Sequence, residues 1–174
     1  MKKKNRAITI ILAIIAVVVI GVIYWRTNTY ISVEQIEENA RKFHNIENEW
    51  QVVQDTNSNV SAMIFFSEDK KDFSFSMYVY HGFWRGYAPR IGGKDYEIIS
   101  ACSKYIFTEF DSIAYLSMNA QKIYKVEIDD GENVKTVSLN ASEPFVLVFP
   151  SNVGNVTFYT ENEEIITPIE RHLY

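Results

Sequence analysis

The chain has a single cysteine, Cys102, and so can close no internal disulfide. Whatever core it builds must rest on apolar burial, which 14 % aromatic residues can supply. Cys102 itself sits in an apolar stretch with no histidine or basic cluster beside it, and a buried, inert thiol is expected. Histidine is as scarce. His44, His81 and His172 stand far apart, and no Cys-x-x-Cys or His-Glu-x-x-His spacing marks a zinc site. There is no Gly-x-Ser-x-Gly elbow and no glycine-rich phosphate loop, since Gly92-Gly93 alone is a turn signal. Asp129, Asp130 and Glu132 crowd one turn, but the alternating acidic pattern of a calcium loop is absent and the Asp-Gly step already accounts for the turn. The sequence therefore assigns no catalytic residue, no metal ligand and no cofactor.

Positive charge is also missing where a nucleic-acid binder needs it. All 22 acidic residues follow position 30, while five of the 17 basic ones precede it, so the later part carries 12 positive and 22 negative charges. A surplus of that sign repels phosphate backbones and excludes a nucleic-acid partner. It also repels acidic wall polymers and anionic lipid unless divalent cations bridge them.

What is present begins at the N-terminus. Lys2, Lys3, Lys4 and Arg6 stand before an uncharged apolar run over residues 7–25. A bilayer core of about 30 Å needs roughly 20 such residues in a helix. The run predicts a transmembrane anchor that contacts the lipid bilayer, with Tyr24 and Trp25 at the outer interface. Four basic residues before the run and Arg26 alone after it predict a cytoplasmic N-terminus and an extracytoplasmic remainder at the cell membrane. A cleaved signal peptide is the competing reading. Such a signal has a shorter core of about 7–15 residues and a small-x-small cleavage site. This run is longer and leaves through Tyr24-Trp25-Arg26.

The expected organisation is a cytoplasmic tip and anchor over 1–26, a connector over 27–31, and a β-rich domain over 32–174. Ser32 and Gln35 have capping-box spacing, and Val33, Ile36, Ala40 and Phe43 recur at helical intervals opposite Glu34, Glu37, Glu38 and Arg41. This predicts a short amphipathic helix. From position 49 the period becomes two. Strands are expected over 50–53, 60–66, 72–80, 83–87, 123–128, 134–139, 145–149 and 156–160, with 163–166 as a last one. Residues 96–118 read as strands around 105–107 and 114–116, with a helix over 97–107 as the alternative. Many short strands separated by frequent turns predict a mainly β fold, an antiparallel β-sandwich or barrel-like domain.

One cluster invites a functional reading. Tyr78, Tyr80, Trp84, Arg85 and Tyr87 crowd one hairpin. Phe73, Phe75, Met77 and Val79 form the opposite face of the strand over 72–80 and are assigned to the core. The aromatic cluster then either stacks on a sugar or peptide, with Arg85 drawing an acidic group, or packs beneath the helix or a second sheet.

The Met-Lys-Lys-Lys start, the anchor, the segment from Val79 through Tyr87 followed by Gly92-Gly93, and the hairpin from Lys125 to Gly131 resemble uncharacterised single-span surface proteins of Gram-positive bacteria. The resemblance is one of layout and implies no functional residue. The function expected is a non-enzymatic, membrane-anchored domain that binds a protein or cell-envelope partner. The alternatives are a cell-envelope hydrolase with an unmarked site and an accessory subunit of a membrane complex.

Overall fold

The computed structural model describes residues 11–12, 14–23, 30–82 and 85–173. The architecture is mainly β, built from three four-stranded sheets. The first is a meander of β1 (Gln51–Thr56), β2 (Val60–Phe66), β3 (Phe73–Tyr80) and β4 (Tyr87–Gly93). The second contains β5 (Ser103–Phe107) and β6 (Ser112–Ser117) between β12 (Ile169–Leu173) and β9 (Phe145–Pro150). The third contains β7 (Ile123–Asp129) and β10 (Asn155–Thr160) between β8 (Val134–Ser138) and β11 (Ile165–Ile166). Each sheet keeps two edge strands, so the sheets stack and none closes into a barrel. The named pairings are antiparallel except that of β12 with β5.

Side-chain alternation dictates the layers. On β2 and β3, Ile64, Phe66, Phe73, Phe75, Met77 and Val79 face the second sheet, where Tyr105, Phe107, Ala114 and Leu116 meet them. The opposite face of the second sheet, with Tyr115 and Phe145, packs on Val126, Ile128 and Phe158 of the third. Strand β9 borders both cores. Val146 and Val148 enter the first, while Phe145, Leu147 and Phe149 line the second. This is the double burial that the unbroken run over 145–149 predicts, and Cys102 is fully buried in the second core.

The outer face of the first sheet is covered by the amphipathic helix Ile36–His44. Ile36 and Ala40 are fully buried against Met63, Phe65 and Tyr78. Here the expected helical face is corrected. Phe43 is 69 % exposed, whereas Arg41, assigned to the outer face, turns inward. The Arg41 guanidinium lies 4.9 Å above the Phe65 ring, pairs with Glu37 at 2.8 Å, and donates to the backbone carbonyls of Glu47 and Trp50. A planar, multiply donating cation covers an aromatic ring and ties down two backbone carbonyls together, which phenylalanine cannot do.

Two further points differ from the sequence expectation. A strand over 83–87 begins only at Tyr87, because Gly82 and Gly86 hold positive φ angles of 97° and 88° and the Arg85 and Gly86 amides both turn back to the Gly82 carbonyl. Residues 83 and 84 lie outside the described residues. In the 96–118 segment the expected strands form as β5 and β6, joined by a 3-10 turn over Thr108–Phe110, and helix is confined to Glu97–Ser100. Finally, β12 was not expected; its pairing partner is 66 residues away, beyond the reach of local patterning.

Of the expected anchor, residues 11–12 and 14–23 are helical, and the rest of the 7–25 run lies outside the described residues. No helix among the described residues is long and apolar enough to cross a membrane.

Candidate functional site

The connector is stitched to the domain before the amphipathic helix begins. The Ile31 amide donates to the Tyr87 carbonyl at 2.9 Å, and the Tyr87 amide returns to the Ile31 carbonyl at 2.8 Å. Gly86 makes this approach feasible. A Cβ there would lie 2.5 Å from the Ile31 carbonyl oxygen, on a backbone that already requires positive φ. Ser32 then starts the helical turn, its amide bonded to the Gln35 side chain at 3.1 Å. The sequence spacing of the capping box foretells that contact.

This clasp forms one wall of an open cleft of about 510 Å³. Ile23, Tyr30, Ser32 and Glu34 line it from the N-terminal side, and Tyr80, Arg85, Gly86 and Tyr87 from the β3–β4 hairpin. The Tyr80 and Tyr87 rings lie 5.1 Å apart at 47°, a tilted aromatic pair. Tyr87 is 8 % exposed, and burial pushes its hydroxyl above the usual phenol range. Arg85 is exposed, and among the described residues its guanidinium has no ion-pair partner. The Ser32 hydroxyl holds the Glu34 carboxyl below its usual range, so the cleft presents one fixed cation and one fixed anion.

The sequence-derived cluster thus divides. Tyr80, Arg85 and Tyr87 share the cleft. Tyr78 does not; it is fully buried beneath the amphipathic helix, where its hydroxyl donates to Asn39 Oδ1 at 2.8 Å. Tyr78 is therefore a core residue, in keeping with the packing alternative. Trp84 lies outside the described residues. Tyr30, Ser32 and Glu34 escaped sequence reasoning, because they reach the hairpin only through the Ile31–Tyr87 bridge. Their one legible trace was the capping box.

The hydrolase alternative would gain from a pocket on which His81, Arg85 and a carboxylate converge. Arg85 and Glu34 line the cleft, but His81 stands edge-on between the Tyr30 and Phe110 rings, 5.5 Å from each, and is not among the lining residues. Among the described residues no three His, Cys, Asp or Glu side chains are placed to hold a metal ion. A second, smaller cleft is lined by Phe43, His44, Arg90 and Gly92. Gly92 is there for packing, since a Cβ would lie 2.5 Å from His44 Nε2.

Comparison with protein-family models, with curated proteins and with solved structures finds no match for this chain.

Proposed function

We propose that the protein is a membrane-anchored interaction domain. Its apolar N-terminal helix lies in the bilayer, its N-terminus is cytoplasmic, and its β-rich body stands outside and binds a protein or cell-envelope partner without chemistry. One observation carries the reading. Val17, Val18, Val19 and Ile20 follow one another at about 100° steps around the helix, yet all are between 49 % and 70 % exposed. Among the described residues, no face of the helix over 17–20 is covered by the protein. An aliphatic helix bare all round is suited to lipid and costly in water, at about 25 cal/mol per Å² of apolar surface. The basic residues before it favour the stated orientation.

Alkaline carbonate washing of membranes from expressing cells tests the anchor, and the chain is expected to stay in the pellet. Protease added to intact cells stripped of their wall is expected to digest residues beyond 30. Full protection of that region reverses the orientation, and release by carbonate removes the anchor. The cleft is the binding surface in this reading, with Tyr80 for stacking, held from below by Tyr87, and Arg85 for an acidic group.

A further inference from the structure

We propose that the cleft between Tyr30 and the β3–β4 hairpin binds the headgroup of a zwitterionic phospholipid, so that the domain rests on the bilayer surface. The proposal rests on the membrane-anchored reading above and names the ligand of the same cleft.

Position supports it first. Ile23, the last described residue of the apolar helix, itself lines the cleft. Ile31 is locked to Tyr87 by two backbone hydrogen bonds. Only eight residue steps separate Ile23 from Ile31, which span at most about 28 Å of extended chain. The cleft therefore belongs to the membrane-facing end of the domain. The β2–β3 turn marks the other end, since Val60 pairs with Val79 near the cleft and Phe66 with Phe73 at the turn. That is about 20 Å of strand.

Chemistry supports it second. Tyr30 and Tyr80 present rings with one polar end, the side-chain type that settles at headgroup depth, and the buried Tyr87 ring backs Tyr80 from beneath. Arg85 offers a guanidinium to a phosphate. Glu34, with the tyrosine faces, offers an anionic and aromatic seat to an ammonium. One cation, one anion and two accessible rings match a headgroup that carries both charges. A purely anionic lipid would meet Glu34 and the domain's acidic surplus.

The test is hydrogen exchange on the full chain in three settings: nanodiscs of phosphatidylethanolamine and phosphatidylcholine, nanodiscs of phosphatidylglycerol, and maltoside micelles. In the zwitterionic discs the amides of 30–34 and 79–87 are expected to exchange at least about fivefold more slowly than in micelles. Phosphatidylglycerol discs should give less protection, and the 67–72 turn should not change. Arg85→Ala and Glu34→Ala should each abolish the protection, while Arg90→Ala should retain it. Equal exchange in all three settings overturns the proposal. So does protection that survives both Arg85→Ala and Glu34→Ala, which would be mere shading by the disc. O-phosphoethanolamine added to micelles separates the sources, and full protection by it alone would assign the site to a free metabolite and overturn the lipid assignment. A chain that does not co-elute with discs fails the anchor reading instead, a result distinct from these.

Discussion

Single side chains do two jobs here that their types would not suggest. Tyr78 is a core residue with a polar end; the ring fills the space under the helix and the hydroxyl reaches Asn39. Tyr78→Phe is expected to lower stability by about 1 kcal/mol, the net worth of one hydrogen bond, and Tyr78→Ala by about 3–5 kcal/mol through the cavity it leaves. Urea unfolding of both variants checks the ratio. Arg41 acts as a cover for Phe65 and a donor to two carbonyls. Arg41→Lys keeps the charge but loses the fork, with an expected loss of about 1–2 kcal/mol. Gly86 is fixed by steric demand. Gly86→Ala would both strain positive φ and press on Ile31, and the expected cost is about 1–3 kcal/mol. Its signature is local, since faster amide exchange at Ile31 and Tyr87 should exceed any change in β2 or β3.

Between elements, the sheets are joined by polar contacts as well as by the cores. Strand β9 is an edge of its sheet, and its Val148 amide donates to Asp55 Oδ2 on β1 at 2.7 Å. Asp55→Ala leaves that half-buried donor without a partner, and a loss of about 1–3 kcal/mol is expected in thermal unfolding. At the opposite edge, Arg171 on β12 pairs with Glu97 at 2.7 Å and with Asp95, which also accepts the Tyr105 hydroxyl. What the sequence disclosed at this scale follows a physical rule. Strands with period-two patterning and local turns, such as β3 and the hairpin around Gly131, were legible because each carries its own signal. Strand β9 was legible because burial on both faces leaves no polar position. The helix was legible as an element but not in its facing, because Arg41 hides a cation against a ring and the hydrophobic pattern scores it as solvent-facing. The parallel β12 and the Ile31 bridge were not legible, since their partners lie far along the chain. The cleft was therefore half legible: the hairpin side was apparent, and the connector side was not.

Across the whole molecule, buried titratable groups set the pH range of stability. Burial lifts the Cys102 thiol from 9.0 to about 12. Burial also pushes the Tyr105 and Tyr115 phenols up, with Asp95 adding to the first. These groups favour the folded state while protonated, so their contribution is complete below the unfolded pKa values and declines as pH rises past about 9. Each group that ionises in the unfolded chain alone steepens the decline by about 1.4 kcal/mol per pH unit. On the acid side, burial lowers His44, so its contribution is complete above pH ~6.5 and is lost as pH falls. Stability against pH is expected to show a plateau between these limits. His44→Gln should flatten the acid shoulder and Cys102→Ala should soften the alkaline one. A thiol reagent at pH 8 should leave the native protein unlabelled and react once it is unfolded. The sheet order has a further consequence in time. Strand β5 gains its β12 neighbour from 66 residues downstream. Translation runs one way, so a growing chain can stack hairpin on hairpin while one flank of β5 still waits. Until residue 169 has left the ribosome, that flank is open to chaperones and to other nascent chains. A stalled or shortened product that lacks β12 would thus carry an open strand edge as its own mark for disposal.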